Sequence, residues 1–151
     1  MKDKEYWINK FDLQPHPKET KGFFKETFRD EFTVIGSSGE QRAASTLIYF
    51  LHVQESLNPK TTFFKVKSVE TIHWYYGSPL HLYYINEEER RLVKVELGVD
   101  EFQFAFPRGV WFTRLCEVDD GYSLVGASVA PGFDFQDLET TEYESLQHLL
   151  S

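Results

Sequence analysis

The chain has 151 residues and a formal net charge of −8, and its Lys and Arg residues are scattered along it. This balance excludes a basic phosphate-binding surface, so we expect neither a nucleic-acid partner nor binding to anionic membranes. The single cysteine, Cys116, excludes an intramolecular disulfide and a cysteine-based zinc site, and we expect it to pack as a small hydrophobe. No stretch approaches about 18 apolar residues and no apolar leader is present, so we expect one cytoplasmic domain over residues 1–151.

The first elements in chain order are a short helix and an edge strand. Residues 3–10 predict the helix, with Asp3 as its N-cap, and Pro15 and Pro17 end it. Residues 23–28 alternate in character and predict a strand at the edge of a sheet. Because that edge must be covered, we expect a homodimer.

From Ala44 onward, short strands and turns alternate about every ten residues, which is typical of a sandwich or barrel. Leu80–Ile85 and Leu92–Leu97 predict one hairpin. Asp119-Asp-Gly121 predicts a second hairpin, which joins Trp111–Val118 to Tyr122–Val129. After Asp137 the pattern becomes helical, and Thr141 and Glu144 have the spacing of a capping box.

Aromatic residues make up 17% of the chain, which exceeds what the core of a small barrel requires. We therefore expect some of them to line a pocket and to stack on a flat ligand or a sugar face. Arg29, Arg108 and Arg114 could each present a guanidinium to a carboxylate or phosphate, and we select Arg114. The candidate ligand-binding residues are Tyr49, Phe64, Trp74, Tyr76, Trp111, Phe112 and Arg114.

Glu70 and His73 are the candidate catalytic residues. In a regular strand Glu70 shares a face with apolar and aromatic neighbours, which would raise its pKa toward that of a general base. His73 lies three residues further on, so alternation places it on the opposite face unless a bulge near Val69 or Thr71 intervenes. A hydrogen-bonded structural role for His73 stays open. For Glu70, an exposed position at the start of a strand and pairing with Lys65 or an Arg both stay open.

The order of these segments resembles the cupin superfamily, and in particular a small single-domain cupin family of unknown function. The segments that carry the resemblance are LQPHP (13–17), FKETFRD (24–30), STLIYFL (45–51), VKSVETIHWYYGSPL (66–80), LGVD (97–100), FPRGVWF (106–112) and YSLVGASVAPGFDFQDLE (122–139). The resemblance implies an all-β cupin-type jelly roll (double-stranded β-helix), with short N- and C-terminal helices, and a homodimer.

The general cupin pattern holds a metal with two His and a Glu in one motif and a His in a second. Glu70 fits the position of the Glu. The first His position falls at Phe63 or Phe64, and the second falls at Lys65 or Val66. The position of the last His is occupied by Phe112. One carboxylate holds a transition metal poorly, so we expect no metal and no other cofactor.

Three functions are consistent with these residues. The first is a metal-independent cupin that binds a small organic ligand, such as a sugar, a nucleotide-sugar or a planar metabolite. The second is an epimerase or isomerase in which Glu70 or His73 removes a proton and a Tyr returns it. The third is a structural or regulatory dimer whose barrel is filled by Phe side chains. Whether the protein is an enzyme stays open at this point.

Overall fold

The computed structural model describes residues 1–18 and 21–151. Helix α1 (Lys4–Phe11) comes first, and two short 3₁₀ helices (Phe135–Asp137 and Tyr143–Leu149) lie near the other end. The strands between them are β1 (Gln14–Pro15), β2 (Phe23–Arg29), β3 (Thr33–Ile35), β4 (Gln41–Ala43), β5 (Thr46–Val53), β6 (Thr62–Lys65), β7 (Val69–Gly77), β8 (Leu80–Asn86), β9 (Arg91–Leu97), β10 (Gln103–Ala105), β11 (Phe112–Leu115), β12 (Tyr122–Ala130) and β13 (Glu139–Glu142).

In the described part of the chain, two antiparallel sheets hold most of these strands. The six-stranded sheet has the order β1-β2-β5-β12-β7-β10, and the five-stranded sheet has the order β13-β6-β11-β8-β9. From β5 to β13 the chain crosses repeatedly from one sheet to the other, and β8 and β9 are the one consecutive pair that stays in a sheet. This winding is that of a double-stranded β-helix, which confirms the predicted all-β jelly roll with short terminal helices.

The main core lies between the two sheets. It includes Phe50 from β5, Ile72 from β7, Leu82 from β8 and Val125 from β12, all almost fully buried. Cys116 packs in the same core with no exposed surface, as predicted for a small hydrophobe. Side-chain alternation along each strand therefore sends one set of residues into the barrel and the other set outward.

The two predicted hairpins have different outcomes. The β8–β9 hairpin is confirmed, with Leu80 paired to Leu97 and Asn86 to Arg91. The prediction of a hairpin at Asp119-Asp-Gly121 is wrong, because β11 pairs with β6 and β8 whereas β12 pairs with β5 and β7. A tight turn forms there, with Gly121 N donating to Val118 O at 2.9 Å, but the strands it joins diverge into opposite sheets. Burial of β11 and β12 between other strands outweighs the local preference of the turn.

The predicted N-terminal helix is confirmed as α1. Asp3 caps it by accepting a hydrogen bond from Tyr6 N at 3.0 Å. The helix packs outside the six-stranded sheet, where the Phe11 ring stacks on Tyr49 at 4.2 Å and Trp7 Nε1 donates to Tyr122 Oη at 3.0 Å.

The predicted capping box at the C-terminal end is wrong. Thr141 lies in β13 and pairs with Phe63, and the helix after it is a 3₁₀ helix whose N-cap, Glu142, makes no side-chain capping bond. The Glu144 N–H, which a cap at Thr141 would have served, instead donates to Pro59 O at 2.9 Å. The short helix covers the outer face of the five-stranded sheet through Leu146.

The predicted edge position of β2 holds for part of the strand. β1 pairs only with Phe23 and Phe24, so residues 25–29 have one ladder, to β5, among the described residues. None of the helices in the described part of the chain combines the length and the apolar character that crossing a bilayer requires.

Candidate functional site

A cavity of about 390 Å³ lies inside the barrel between the two sheets. Apolar side chains form most of its wall and come from both sheets and from the segment after β12. They are Phe24, Ile48, Phe50, Phe64, Val66, Phe112, Ala127, Val129, Phe133, Phe135 and Leu138. A cavity of this size falls in the range of small-molecule sites.

Among the described residues that line the cavity, Glu70 and Arg114 are the two that are charged and buried. Glu70 comes from β7 in the six-stranded sheet, and Arg114 comes from β11 in the facing sheet. Glu70 is 8% exposed and Arg114 is 7% exposed, and Glu70 Oε2 lies 3.8 Å from Arg114 Nε. The two sheets thus bring a carboxyl group and a guanidinium cation together in the interior.

The Glu70 carboxylate is electrostatically disfavoured where it stands. Its Oε2 atom is buried and has no hydrogen-bond partner among the described residues. Burial raises the pKa of Glu70 above its ordinary value, and the opposing effect of the Arg114 guanidinium is smaller. A buried acceptor without a donor is costly, so the site is suited to a ligand that supplies one.

The Phe50 ring lines the cavity and contacts Arg114, His52 and His16. The Arg114 guanidinium lies 4.9 Å from the centre of the Phe50 ring, and the His52 ring stacks on Phe50 at 4.3 Å. His52 lies in a second pocket of about 30 Å³ that shares Phe50, Phe64 and Arg114 with the cavity. Burial and the Arg114 charge lower the pKa of His52 and bring that of His16 to about 4, so both imidazoles are neutral near pH 7.

The segment after β12 forms the rim of the cavity and is held in place by two arginines. Arg42 from β4 makes a two-point ion pair with Asp137, with both N–O distances at 2.9 Å. Arg29 from β2 donates to Phe133 O at 3.0 Å and pairs with Glu26 at 2.7 Å. These contacts keep Phe133 and Phe135 over the cavity.

Four of the candidate residues line this cavity: Glu70, Phe64, Phe112 and Arg114. The alternation of β7 carries Glu70 inward. His73 lies outside the cavity, and its Nε2 atom is 3.2 Å from Ser128 Oγ on the outer face of the sheet. No irregularity between Glu70 and His73 reverses the alternation, since these two residues pair in register with Val129 and Gly126.

The remaining candidate aromatics also lie away from the cavity. Tyr76 is turned outward because Tyr75 is an extra residue in β7, opposite the Leu124–Val125 step of β12. Tyr49 stacks under α1, and Trp111 packs with Leu146 and its neighbours outside the other sheet. Trp74 points into the core, but it lies at the end of the barrel and donates from Nε1 to Ser78 O at 3.0 Å.

Several lining residues were not among the candidates from sequence. His16, Phe24, Phe50, Phe133 and Phe135 all contribute to the cavity. The extended path that Pro15 and Pro17 impose on His16 and the unusual segment around Phe133 and Phe135 were visible in the sequence. Their convergence on Glu70 was not, because it depends on the pairing of β2, β5 and β12.

The residues at the cupin metal positions do not fit a metal ion. Phe64, Val66 and Phe112 line the same cavity as Glu70, so the positions converge, but they offer no ligand atoms. The nearby cation of Arg114 would repel a metal from the single carboxylate. Among the described residues, no group of three His, Cys, Asp or Glu could hold an ion.

Two sheets that exchange strands in this order around an interior cavity define a jelly-roll barrel of the cupin type. The chain belongs to the cupin superfamily (DUF985), whose family model matches residues 5–141. No curated protein matches the chain.

Solved structures show the same relationship. The chain is similar to a hypothetical protein from Leishmania major, with 30% identity over 91% of this chain and 86% of that chain and a TM-score of 0.76. It is also similar to a protein from Shewanella oneidensis, with 28% identity over 100% of this chain and 98% of that chain and a TM-score of 0.76. A Streptomyces protein, PAC13, solved with uridine, shares the fold at 15% identity, with a TM-score of 0.55 over 91% of this chain and 92% of that chain.

Proposed function

We propose that this protein is a metal-independent cupin that binds a small organic ligand in the barrel cavity. The observation that carries the proposal is the buried Glu70 carboxylate, whose Oε2 atom has no hydrogen-bond donor among the described residues, in a cavity of about 390 Å³ walled by phenylalanines. Apolar walls with few polar groups are typical of sites that take organic ligands.

The ligand classes in question are a sugar, a nucleotide-sugar and a planar metabolite. Phenylalanine rings on several sides favour a ligand with a flat face. PAC13, which shares the fold at 15% identity, was solved with uridine, and the base of uridine is planar. A protein of this fold can therefore accommodate a planar ring.

Metal independence is part of the proposal. Its support is the donor set, in which the imidazole positions of the cupin pattern are occupied by Phe and Val and the remaining carboxylate faces Arg114. Elemental analysis of the purified protein tests it directly. We expect substoichiometric iron, manganese and zinc, and one equivalent of metal per chain would contradict it.

The ligand-binding proposal can be tested by filling the cavity. Indole and phenol serve as probes of an aromatic-walled site, and their binding is measured by calorimetry. We expect saturable binding to the wild type and loss of binding in Ala127→Phe, because Ala127 lines the cavity and a phenyl ring there would occupy its volume.

Ala105→Phe is the matched control, since it adds the same ring at an exposed position of β10. We expect this variant to bind both probes as the wild type does. Circular dichroism establishes that both variants are folded. Equal binding of a probe by the wild type and by Ala127→Phe would refute ligand binding in the barrel.

A catalytic role is the second candidate function, and the raised pKa of Glu70 favours it, because a buried carboxylate of this kind can serve as a general base. No tyrosine is among the described residues that line the cavity, and His73 lies on the outer face. The epimerase or isomerase hypothesis therefore rests on Glu70. A Glu70→Gln variant that converts a substrate at the wild-type rate would remove it.

We also propose that the protein is a homodimer. The outer face of the six-stranded sheet carries an apolar surface, named here the outer patch, formed by Phe28, Leu47, Tyr49 and Tyr75. Phe28 pairs with Leu47 across β2 and β5, and the Tyr49 and Tyr75 rings are 5.9 Å apart. Phe28 is 50% exposed and Tyr75 is 46% exposed. Two-fold dimers are the commonest homo-oligomers and pair identical surfaces, and aromatic residues are enriched at such interfaces.

A further inference from the structure

The walls of the cavity limit the polarity of its ligand, and this inference rests on the proposed ligand-binding function. Of the polar groups in the wall, Thr46 Oγ1 already accepts from Phe133 N at 3.0 Å. Arg29 and Glu26 bind each other at the rim, and Asp134 accepts from Gln136 N at 2.8 Å. A polyhydroxylated ligand would place several hydroxyl groups against phenylalanine rings without partners, which is costly.

The charges around the cavity limit the charge of its ligand. The described lining residues include three carboxylates, those of Glu26, Glu70 and Asp134, and two guanidiniums, those of Arg29 and Arg114. An anion next to Arg114 would also approach Glu70, and a cation next to Glu70 would approach Arg114, because the two lie 3.8 Å apart. An uncharged ligand avoids both repulsions.

The Glu70–Arg114 pair offers one strong acceptor beside strong donors. A carboxylate oxygen accepts hydrogen bonds, and a guanidinium only donates them. A ring amide presents an N–H next to a C=O on one planar edge. The N–H complements the Glu70 carboxylate, and the C=O complements the Arg114 guanidinium. The remaining faces of such a ring are flat and apolar, as the phenylalanine walls require.

We propose that the cavity binds an uncharged planar heterocycle through a ring-amide edge, with the ring N–H donating to Glu70 and the ring carbonyl accepting from Arg114. Hydrogen bonds to charged groups are the stronger kind, so this edge both orients the ring and selects it over a ring without the N–H. The ligand supplies the donor that Glu70 Oε2 lacks among the described residues.

The test uses the pair 2-pyridone and N-methyl-2-pyridone, which share a ring and a carbonyl and differ in the N–H. Calorimetric titration of the wild type should show N-methylation raising the dissociation constant about tenfold or more. In Glu70→Gln, we expect weaker binding of 2-pyridone and a smaller difference between the two compounds. Glu87→Gln, at an exposed residue of the β8–β9 turn, should leave both affinities unchanged.

D-Glucose and benzoate complete the panel. Tighter binding of D-glucose would show a polyol site, and tighter binding of benzoate would show an anion site at Arg114; either result overturns the ring-amide proposal. Equal affinity of the wild type for the two pyridones would also overturn it while leaving ligand binding intact. If none of the four compounds binds and indole and phenol fail as well, the proposed function itself falls.

Discussion

At the scale of single residues, Glu70 shows that the barrel interior is not arranged for maximal stability. A carboxylate is buried beside Arg114 without a hydrogen-bond donor for Oε2 among the described residues, and burial raises its pKa. Strongly perturbed pKa values cluster at functional sites.

We predict that Glu70→Gln raises the free energy of unfolding at about pH 8 and that the gain disappears below the ordinary carboxyl pKa of 4.5. A raised folded-state pKa means that the native protein binds more protons than the unfolded chain above that value, so wild-type stability falls as the pH rises through the folded pKa. The neutral amide avoids this loss, which is about 1.4 kcal/mol for each unit of pKa difference. Urea denaturation at several pH values measures it.

Glu87→Gln is the control for this prediction, because Glu87 is exposed. Its effect on stability should be small and should not follow the same pH profile. A Glu70→Gln variant that is less stable than the wild type at about pH 8 would show that the carboxylate gains more from Arg114 than it loses by burial.

At the scale of elements, β7 decides which side chains reach the cavity. Glu70, Ile72 and Trp74 point inward in regular alternation, and the extra residue Tyr75 then turns Tyr76 outward. The strand ends at Gly77, which has φ +101°, and the chain crosses from there to the facing sheet.

We predict that Gly77→Ala is more destabilising than Gly109→Ala by roughly 1–3 kcal/mol. Both glycines have positive φ, so both substitutions carry the backbone strain of an L residue there. A Cβ at Gly77 would lie 2.3 Å from the Tyr122 carbonyl oxygen, whereas a Cβ at Gly109 meets nothing within 4 Å. Chemical denaturation of the two variants provides the comparison, and equal losses would mean that the β7–β12 contact can relax.

At the scale of the whole molecule, the two faces of the six-stranded sheet differ in their surroundings. Its inner face contributes Phe24, Ile48 and Glu70 to the cavity, while its outer face carries the outer patch. A net charge of −8 opposes association of copies at long range, so the proposed dimer requires a local apolar surface.

We predict that the wild type sediments as a dimer at micromolar concentration and that Leu47→Glu sediments as a monomer. Leu47 is 36% exposed in the middle of the outer patch, so a carboxylate is tolerated in one copy and is costly when two patches meet. Val118→Glu, at a 40% exposed position next to the Asp119–Gly121 turn, should remain dimeric. A monomeric wild type in sedimentation velocity would contradict the prediction.

Sequence alone determined the properties that arise from neighbouring residues. Strand character, the short N-terminal helix with its Asp3 cap and the β8–β9 hairpin all follow from local patterns. The opposite faces of Glu70 and His73 also follow, because side chains on a regular strand alternate with a period of two. The phenylalanines at the metal-ligand positions were readable through the resemblance to the cupin pattern.

Tertiary structure decided which strands meet. The turn at Asp119–Gly121 predicted a hairpin, but β11 and β12 lie in opposite sheets, where each is paired on both sides and most of its residues are buried. That separation is what brings Arg114 from one sheet to Glu70 on the other, and it places Phe133 and Phe135 over them. Pairing between distant strands is settled by burial summed over the whole core, which no local pattern records.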